Sequence, residues 1–169
     1  MKYIPILILL TTTISNAGCL SDDKVFNLKI ESLIEAKEYE RAAKELAKNS
    51  NSKIAEGYTI LSSYIRFYDK SKDKKELSLK YLVKGCKHDS FNACRRYAVS
   101  LINRHKYKEA EKLLIKTANN HSDPASAGEL ISLYHNRNWN GFSKENARLW
   151  QGKISGLVTK SNKAVKRDQ

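Results

Sequence analysis

The sequence predicts an all-α fold, a short α-solenoid in which antiparallel helix pairs follow one another along the chain. Runs that alternate apolar and polar residues, as strands do, are few, and Pro124 is the only proline after residue 18. Small residues recur at a spacing near 34, the length of a helix-turn-helix repeat. An apolar leader comes first, so we divide the chain into a signal peptide at 1–18, a helical repeat domain at 19–158 and a basic tail at 159–169.

The leader has the parts of a secretory signal. Lys2 supplies one positive charge, and residues 4–10 form an apolar run that is too short to span a bilayer as a mature helix. Small residues follow just before Cys19. The sequence therefore predicts that the mature protein is exported.

The end of the leader resembles a bacterial lipobox, in which the signal is cut before a cysteine and the cysteine is acylated. Ala17, Gly18 and Cys19 match, although Asn16 stands where an apolar residue is usual. Ordinary signal cleavage after Ala17 is the alternative. If Cys19 is acylated, it tethers the protein to a membrane facing the bacterial periplasm. Leu20, which follows it, is not the usual inner-membrane retention residue, so the outer membrane is expected.

The cysteine count agrees with export. Three cysteines are an odd number, but assigning Cys19 to the lipid leaves Cys86 and Cys94 as a pair. An oxidising compartment allows that pair to form a disulfide. Zinc bound by the pair together with His88 and His105 is the alternative, which neither the ligand spacing nor the compartment favours. We expect a disulfide, and we predict no metal site and no cofactor.

The chain is strongly basic. Its net charge is +13 at pH 7, and loss of Lys2 with the signal lowers this to +12. Such a charge usually indicates nucleic acid binding, but an exported protein is not expected to have a nucleic acid partner. Anionic lipid headgroups, cell-wall polymers and acidic proteins are the remaining targets.

Eight helices are predicted from apolar periodicity and from helix-end signals. Their ranges are 23–37, 39–49, 53–68, 74–87, 91–104, 107–119, 124–136 and 144–156. Asp73 with Glu76 three residues later suits a capping box, and Asp123 before Pro124 suits a capped start with proline in the first turn. Ser143 suits a third cap.

The helices repeat in pairs. Residues 37–42 align with residues 105–110, which are 68 positions further on, or twice 34. Each pair has a first helix and a second helix. Small residues recur at the equivalent position of each second helix, separated by 36, 32 and 37 positions: Ala42, Ser78, Ala110 and Ala147. In the first helices, an apolar pair is followed three residues later by a large residue. These sets are Ile60-Leu61 with Tyr64, Tyr97-Ala98 with Leu101, and Leu130-Ile131 with Tyr134. We expect the small residues to lie where two helices approach closely.

These units resemble Sel-one-like repeats, a subclass of the tetratricopeptide-like helical repeats. The units are 55–88, 91–120 and 125–156. The second-helix pattern of the family is matched by Ser78, Tyr81, Leu82, Gly85 and Cys86, by Ala110, Leu113, Leu114, Thr117 and Ala118, and by Ala147, Trp150 and Ile154. The first-helix glycine of the family is replaced by Leu61, Ala98 and Ile131. Some exported members join consecutive repeats through cysteines with seven residues between them, so the resemblance implies the same bridge between Cys86 and Cys94.

The motifs do not indicate an enzyme. The sequence has no zinc-protease helix motif, phosphate-binding glycine loop or serine elbow, and its four histidines are scattered. We therefore predict no catalytic residue. The resemblance implies a scaffold or adaptor that binds a protein in the envelope. A specialised form is an immunity protein that neutralises a toxin delivered into the periplasm, such as a secreted phospholipase. The alternative is an envelope hydrolase or cell-wall-modifying enzyme.

Candidate partner-binding residues lie mainly on the predicted first helices. They are Tyr58, Arg66, Arg95, Arg96, Glu129 and Trp139. Tyrosine, tryptophan and arginine are favoured at interface hot spots, and basic charge would speed association with an acidic effector. Charge reversal at both Arg95 and Arg96 is expected to slow association and to leave folding nearly intact. For Trp139 and Phe142, the alternative is that both rings fold back onto the last repeat.

Overall fold

The computed structural model describes residues 22–49 and 54–165, and every regular element within these ranges is an α-helix. The helices are α1 (Asp22–Glu35), α2 (Tyr39–Asn49), α3 (Ile54–Tyr68), α4 (Lys74–Lys87), α5 (Phe91–Asn103), α6 (Tyr107–Asn120), α7 (Pro124–Tyr134) and α8 (Lys144–Val165). The all-α prediction is confirmed, and the first seven predicted ranges agree with the structure to within two residues. The signal peptide, Cys19 and residues 166–169 lie outside the described residues.

The last helix, α8, is longer than the sequence analysis predicted. It runs to Val165 rather than ending at 156, and so continues into the range assigned to the basic tail. Leu157 lies just past the predicted end and is buried in the same apolar cluster as Trp150. No glycine or proline follows it before Val165. The predicted end was wrong because the apolar face continues for one more turn and nothing in the sequence then interrupts the helix.

Two turns between paired helices have the same geometry. After α1, Lys37 has a positive φ of 59°, and the Glu38 N–H donates to the Leu33 carbonyl at 2.8 Å. After α5, His105 also has φ 59°, and the next N–H donates to the Leu101 carbonyl at 2.9 Å. This is the Schellman ending, which satisfies carbonyls that a helix end leaves free. The same ending follows α4, where Asp89 has φ 70° and the Ser90 N–H donates to the Gly85 carbonyl at 3.0 Å. The aligned segments 37–42 and 105–110 therefore share a turn that also occurs between helix pairs.

Helix packing follows the order of the chain. Each helix contacts the next one, and the odd-numbered helices α1, α3, α5 and α7 also contact one another in sequence. The small residues of the second helices are all buried, with at most 2% of each exposed: Ala42, Ser78, Ala110 and Ala147. A Cβ atom on Gly57 of α3 would lie 2.9 Å from the Ala43 carbonyl oxygen of α2. The absence of a side chain at Gly57 therefore allows α2 and α3 to pack this closely.

The buried apolar residues form two clusters. Members of the first come from α1 to α4 and include Ile30, Ile34, Leu46, Leu61 and Ile65. Members of the second come from α5 to α8 and include Ala98, Leu114, Leu130, Leu133 and Trp150. The boundary between them falls where α4 meets α5. None of the described helices combines the length and the apolar character that crossing a membrane requires.

A disulfide joins the two helices at this boundary. The sulfur atoms of Cys86 in α4 and Cys94 in α5 are 2.03 Å apart, and their Cα atoms are 4.5 Å apart. Cys94 occupies the position on α5 that Gly57 occupies on α3, where a first helix meets the preceding second helix. The covalent bond therefore lies where consecutive repeats would stack.

We expect loss of this bond to lower the free energy of unfolding by about 2.5 kcal/mol, because a short closed loop restricts the unfolded chain. Denaturant unfolding of the full chain, with and without reductant, measures the difference. The variant with serine at both Cys86 and Cys94 is the control, since reductant should not change its stability. Mass spectrometry after alkylation should find the pair protected, and two thiols that alkylate freely without reductant would contradict the prediction.

Candidate functional site

Four of the six candidate contact residues line one groove. Arg66 of α3, Arg95 and Arg96 of α5 and Glu129 of α7 surround a space of about 320 Å³, which we call the arginine groove. Further lining residues come mainly from α4 and α5: Phe67, Lys75, Ser78, Leu79, Leu82, Val99, Ser100 and Asn103. The groove therefore combines cationic side chains with an apolar floor, and it is built by residues that are more than 60 positions apart in the sequence.

Arg95 is held by a buried carboxylate. Its Nη1 donates to both oxygens of Asp123 at 3.3 Å, and Asp123 is only 6% exposed. Asp123 also caps α7, because its oxygens accept from the backbone N–H groups of Ala125 at 3.3 Å and Ser126 at 3.0 Å. Arg95 thus compensates the charge of the residue that starts α7.

Arg96 is half-buried and is bonded to α3. Its Nη1 donates to Ser63 Oγ at 2.7 Å and to the Thr59 carbonyl oxygen at 3.4 Å. Burial, followed by repulsion from Arg66 and Arg95, holds the pKa of Arg96 below its usual value. Like charges are therefore crowded in the groove. Within the described ranges, neither Arg66 nor Arg96 forms an ion pair with a carboxylate.

These contacts contradict one sequence-based expectation. The expectation that reversal of both charges leaves folding nearly intact requires Arg95 and Arg96 to be exposed. Neither side chain is exposed in the structure, and both bond to neighbouring helices. A binding test in the groove therefore needs other positions, and Arg66 and Lys75 are both exposed.

Tyr58 lies outside the groove. Its ring stacks on Tyr81 with centroids 6.0 Å apart and on His88 with centroids 5.7 Å apart, while Lys84 Nζ lies 5.5 Å from the ring centroid. These contacts join α3 to α4. The structure therefore does not bring Tyr58 together with the other candidate contact residues.

Trp139 is buried, which corrects its assignment as a contact residue. Only 6% of it is exposed, and its ring lies against Tyr134 at 5.7 Å and Tyr107 at 6.1 Å between centroids. A Cβ atom on Gly141 would come within 2.4 Å of the indole, so the loop closes tightly over it. The alternative in which the ring folds back is correct for Trp139. Phe142 remains 38% exposed.

Sequence reasoning missed Phe67 as a surface residue. It was not among the candidate contact residues, yet 75% of it is exposed at the edge of the groove. Helical periodicity contains the missing signal. Leu61 and Ile65 are four residues apart and are fully buried, whereas Phe67 is two residues beyond Ile65 and therefore faces away from them.

Other polar groups in the described residues do not assemble into a metal site. No group of three or more histidine, cysteine, aspartate or glutamate side chains is placed to bind a metal in residues 22–49 and 54–165. The sulfurs of Cys86 and Cys94, which the zinc alternative would need as ligands, are bonded to each other. A larger hollow of about 520 Å³ lies between the ends of α1 and α3. Of its two carboxylates, Glu35 and Asp69, the second already accepts from Tyr39 and from the Ser71 N–H.

Comparison with protein family models, with curated proteins and with solved structures gives no match. The Sel-one-like resemblance therefore depends on the repeated residues quoted above.

Proposed function

We propose that this chain is an exported, membrane-tethered repeat protein that binds a protein partner along the arginine groove. One observation carries the proposal. Helix α3 contacts α5, α5 contacts α7, and all three contribute side chains to one groove. Solenoids of tetratricopeptide-like or Sel-one-like repeats form extended binding surfaces from such a row of first helices. The repeated Schellman turns and the buried small residues support the assignment to that class.

The chemistry of the groove favours a protein ligand. Its exposed rim carries Phe67 and Arg66, while Leu79 and Val99 offer apolar surface between the helices. Aromatic and arginine side chains beside apolar surface are the composition of protein interfaces. A segment of a partner protein would bury this apolar surface and would accept hydrogen bonds from the charged side chains of the groove.

The alternative, an envelope hydrolase, needs a nucleophile or a metal-activated water beside a general base. Ser78 is a hydroxyl in the groove lining, but it is 2% exposed and its Oγ donates to the Ser62 carbonyl oxygen at 2.9 Å. A second hydroxyl, Ser100, lines the groove together with Glu129, but the lining contains four cationic side chains and no histidine that could act as a general base. These observations support binding over catalysis.

The proposed location is the periplasm, with Cys19 acylated in the outer membrane and the repeat domain free to meet a partner. The proposed specialised role is that of an immunity protein for a toxin delivered into the periplasm. The net charge of +12 that remains after Lys2 is lost with the signal supports an acidic effector as the partner, because opposite potentials accelerate encounter.

Capture of a partner tests the function. The full chain, carrying an affinity tag after Gln169, is cross-linked in envelope extracts or co-expressed with a candidate toxin gene, and bound proteins are identified by mass spectrometry. We expect a stoichiometric protein partner. Robust turnover of a lipid or peptidoglycan substrate by the purified chain, with no protein partner, would contradict the proposal.

Cys19→Ser should release the protein from membranes without changing the unfolding midpoint of the repeat domain. Acylation supplies membrane attachment, whereas the helices are stabilised by their own core. Membrane fractionation and incorporation of labelled fatty acid measure the first effect, and circular dichroism measures the second. If the wild-type chain incorporates no labelled fatty acid, the tether is refuted and the protein is soluble in the periplasm.

A further inference from the structure

We infer that the arginine groove selects a linear acidic segment with apolar side chains, and that Arg66, Lys75 and Arg96 bind its carboxylates while Arg95 does not. This inference rests on the proposed function, because it specifies which feature of a protein partner the groove recognises. It also assigns different roles to two adjacent arginines that the sequence does not distinguish.

The assignment of roles follows from which charges are already compensated. Arg95 has a carboxylate partner in Asp123, and that carboxylate is needed to start α7. Arg66, Lys75 and Arg96 form no ion pair within the described residues, although all three line the same groove. Burial, followed by repulsion from Arg66 and Arg95, lowers the pKa of Arg96, and a bound anion would offset that repulsion. Carboxylates are therefore the expected ligands of these three groups.

The apolar surface restricts the kind of anion. Phe67 is 75% exposed beside Arg66, and the half-buried Leu79 and Val99 line the same groove as the cationic side chains. A segment that alternates acidic and apolar residues contacts both surfaces, whereas a simple phosphate contacts only one. The groove volume of about 320 Å³ suits a few side chains of such a segment.

The groove is also electrically asymmetric. The cations come from α3, α4 and α5, whereas α7 contributes Glu129. A uniformly anionic surface, such as a bilayer of phosphatidylglycerol, would meet this carboxylate at one end of the groove. A segment whose acidic residues lie over α3 and α5 avoids that repulsion. This distinguishes a peptide from a lipid surface as the occupant.

Selection from a random library of displayed twelve-residue peptides, with the full chain as target, tests the inference. We expect the enriched peptides to combine aspartate or glutamate with leucine, isoleucine or phenylalanine. The tightest peptide is then measured by fluorescence anisotropy against two variants of equal charge change. One carries Arg66→Glu and Lys75→Glu in the groove, and the other carries Lys116→Glu and Arg148→Glu outside it.

All four substituted side chains are exposed, so both variants should fold. We expect the groove variant to weaken binding by about tenfold or more and the control variant by about twofold or less, since only nearby charges interact strongly. Enrichment of neutral or basic peptides, equal weakening in the two variants, or displacement of the peptide by phosphatidylglycerol vesicles would overturn the inference. A protein partner captured equally well by wild type and groove variant would also overturn it, while leaving the proposed protein-binding function in place.

Discussion

Trp139→Ala is expected to lower the free energy of unfolding by about 4 kcal/mol, because it removes a large buried ring and leaves a cavity. The indole is 6% exposed and belongs to the apolar cluster that joins α5, α6, α7 and α8. Tyr134 and Tyr107 lose their aromatic neighbour in the variant. Denaturant unfolding followed by circular dichroism measures the change.

Phe142→Ala is the matched control, since it removes a second aromatic ring from the same loop. Phe142 is 38% exposed, so we expect its loss to cost about 1 kcal/mol or less. If Trp139 were instead a contact residue, its substitution would weaken partner binding and leave stability nearly unchanged. Similar small effects for the two variants would refute the role of Trp139 in closing the last helix pair.

Local patterns were sufficient to predict the helices. Two of the three predicted caps are confirmed, since the side chains of Asp123 and Ser143 accept from backbone N–H groups within three positions. The predicted cap at Asp73 was wrong, because this side chain forms no capping hydrogen bond at the start of α4. The spacing of Ala42, Ser78, Ala110 and Ala147 likewise predicted where helices approach, because the same packing recurs in each pair. The end of α8 was missed because its continuation depends on Leu157 reaching a core assembled from distant helices.

The groove was harder to predict than the helices, because its contacts cross between helices. The pairing of Arg95 with Asp123 spans 28 positions, and that of Arg96 with Ser63 spans 33. No local pattern distinguishes these two arginines, yet one compensates a buried carboxylate and the other forms no ion pair within the described residues. Tyr58 was misplaced for the same reason, since its stacking on Tyr81 depends on how α3 packs against α4.

Arg95→Glu is expected to lower the free energy of unfolding by about 3 kcal/mol, because it removes the partner of a buried carboxylate and adds a like charge. Asp123 is 6% exposed and accepts from Ser126 Oγ at 2.6 Å as well as from two backbone N–H groups. It cannot leave the interior without giving up the start of α7. Arg66→Glu, an equal charge change at an exposed groove position, should alter stability by about 0.5 kcal/mol or less.

A double-mutant cycle isolates the electrostatic part of this effect. Asp123→Asn keeps a side-chain oxygen that can cap α7 but removes the charge that Arg95 compensates. In that background Arg95→Glu should cost about 1 to 2 kcal/mol less than in the wild type, because groups in direct contact are energetically coupled. Strictly additive effects would show that Asp123 does not need Arg95, and that Arg95 is as available to a ligand as Arg96. A coupling of the expected size would show that Arg95 is committed to the fold, which leaves Arg66, Lys75 and Arg96 as the charges a partner can use.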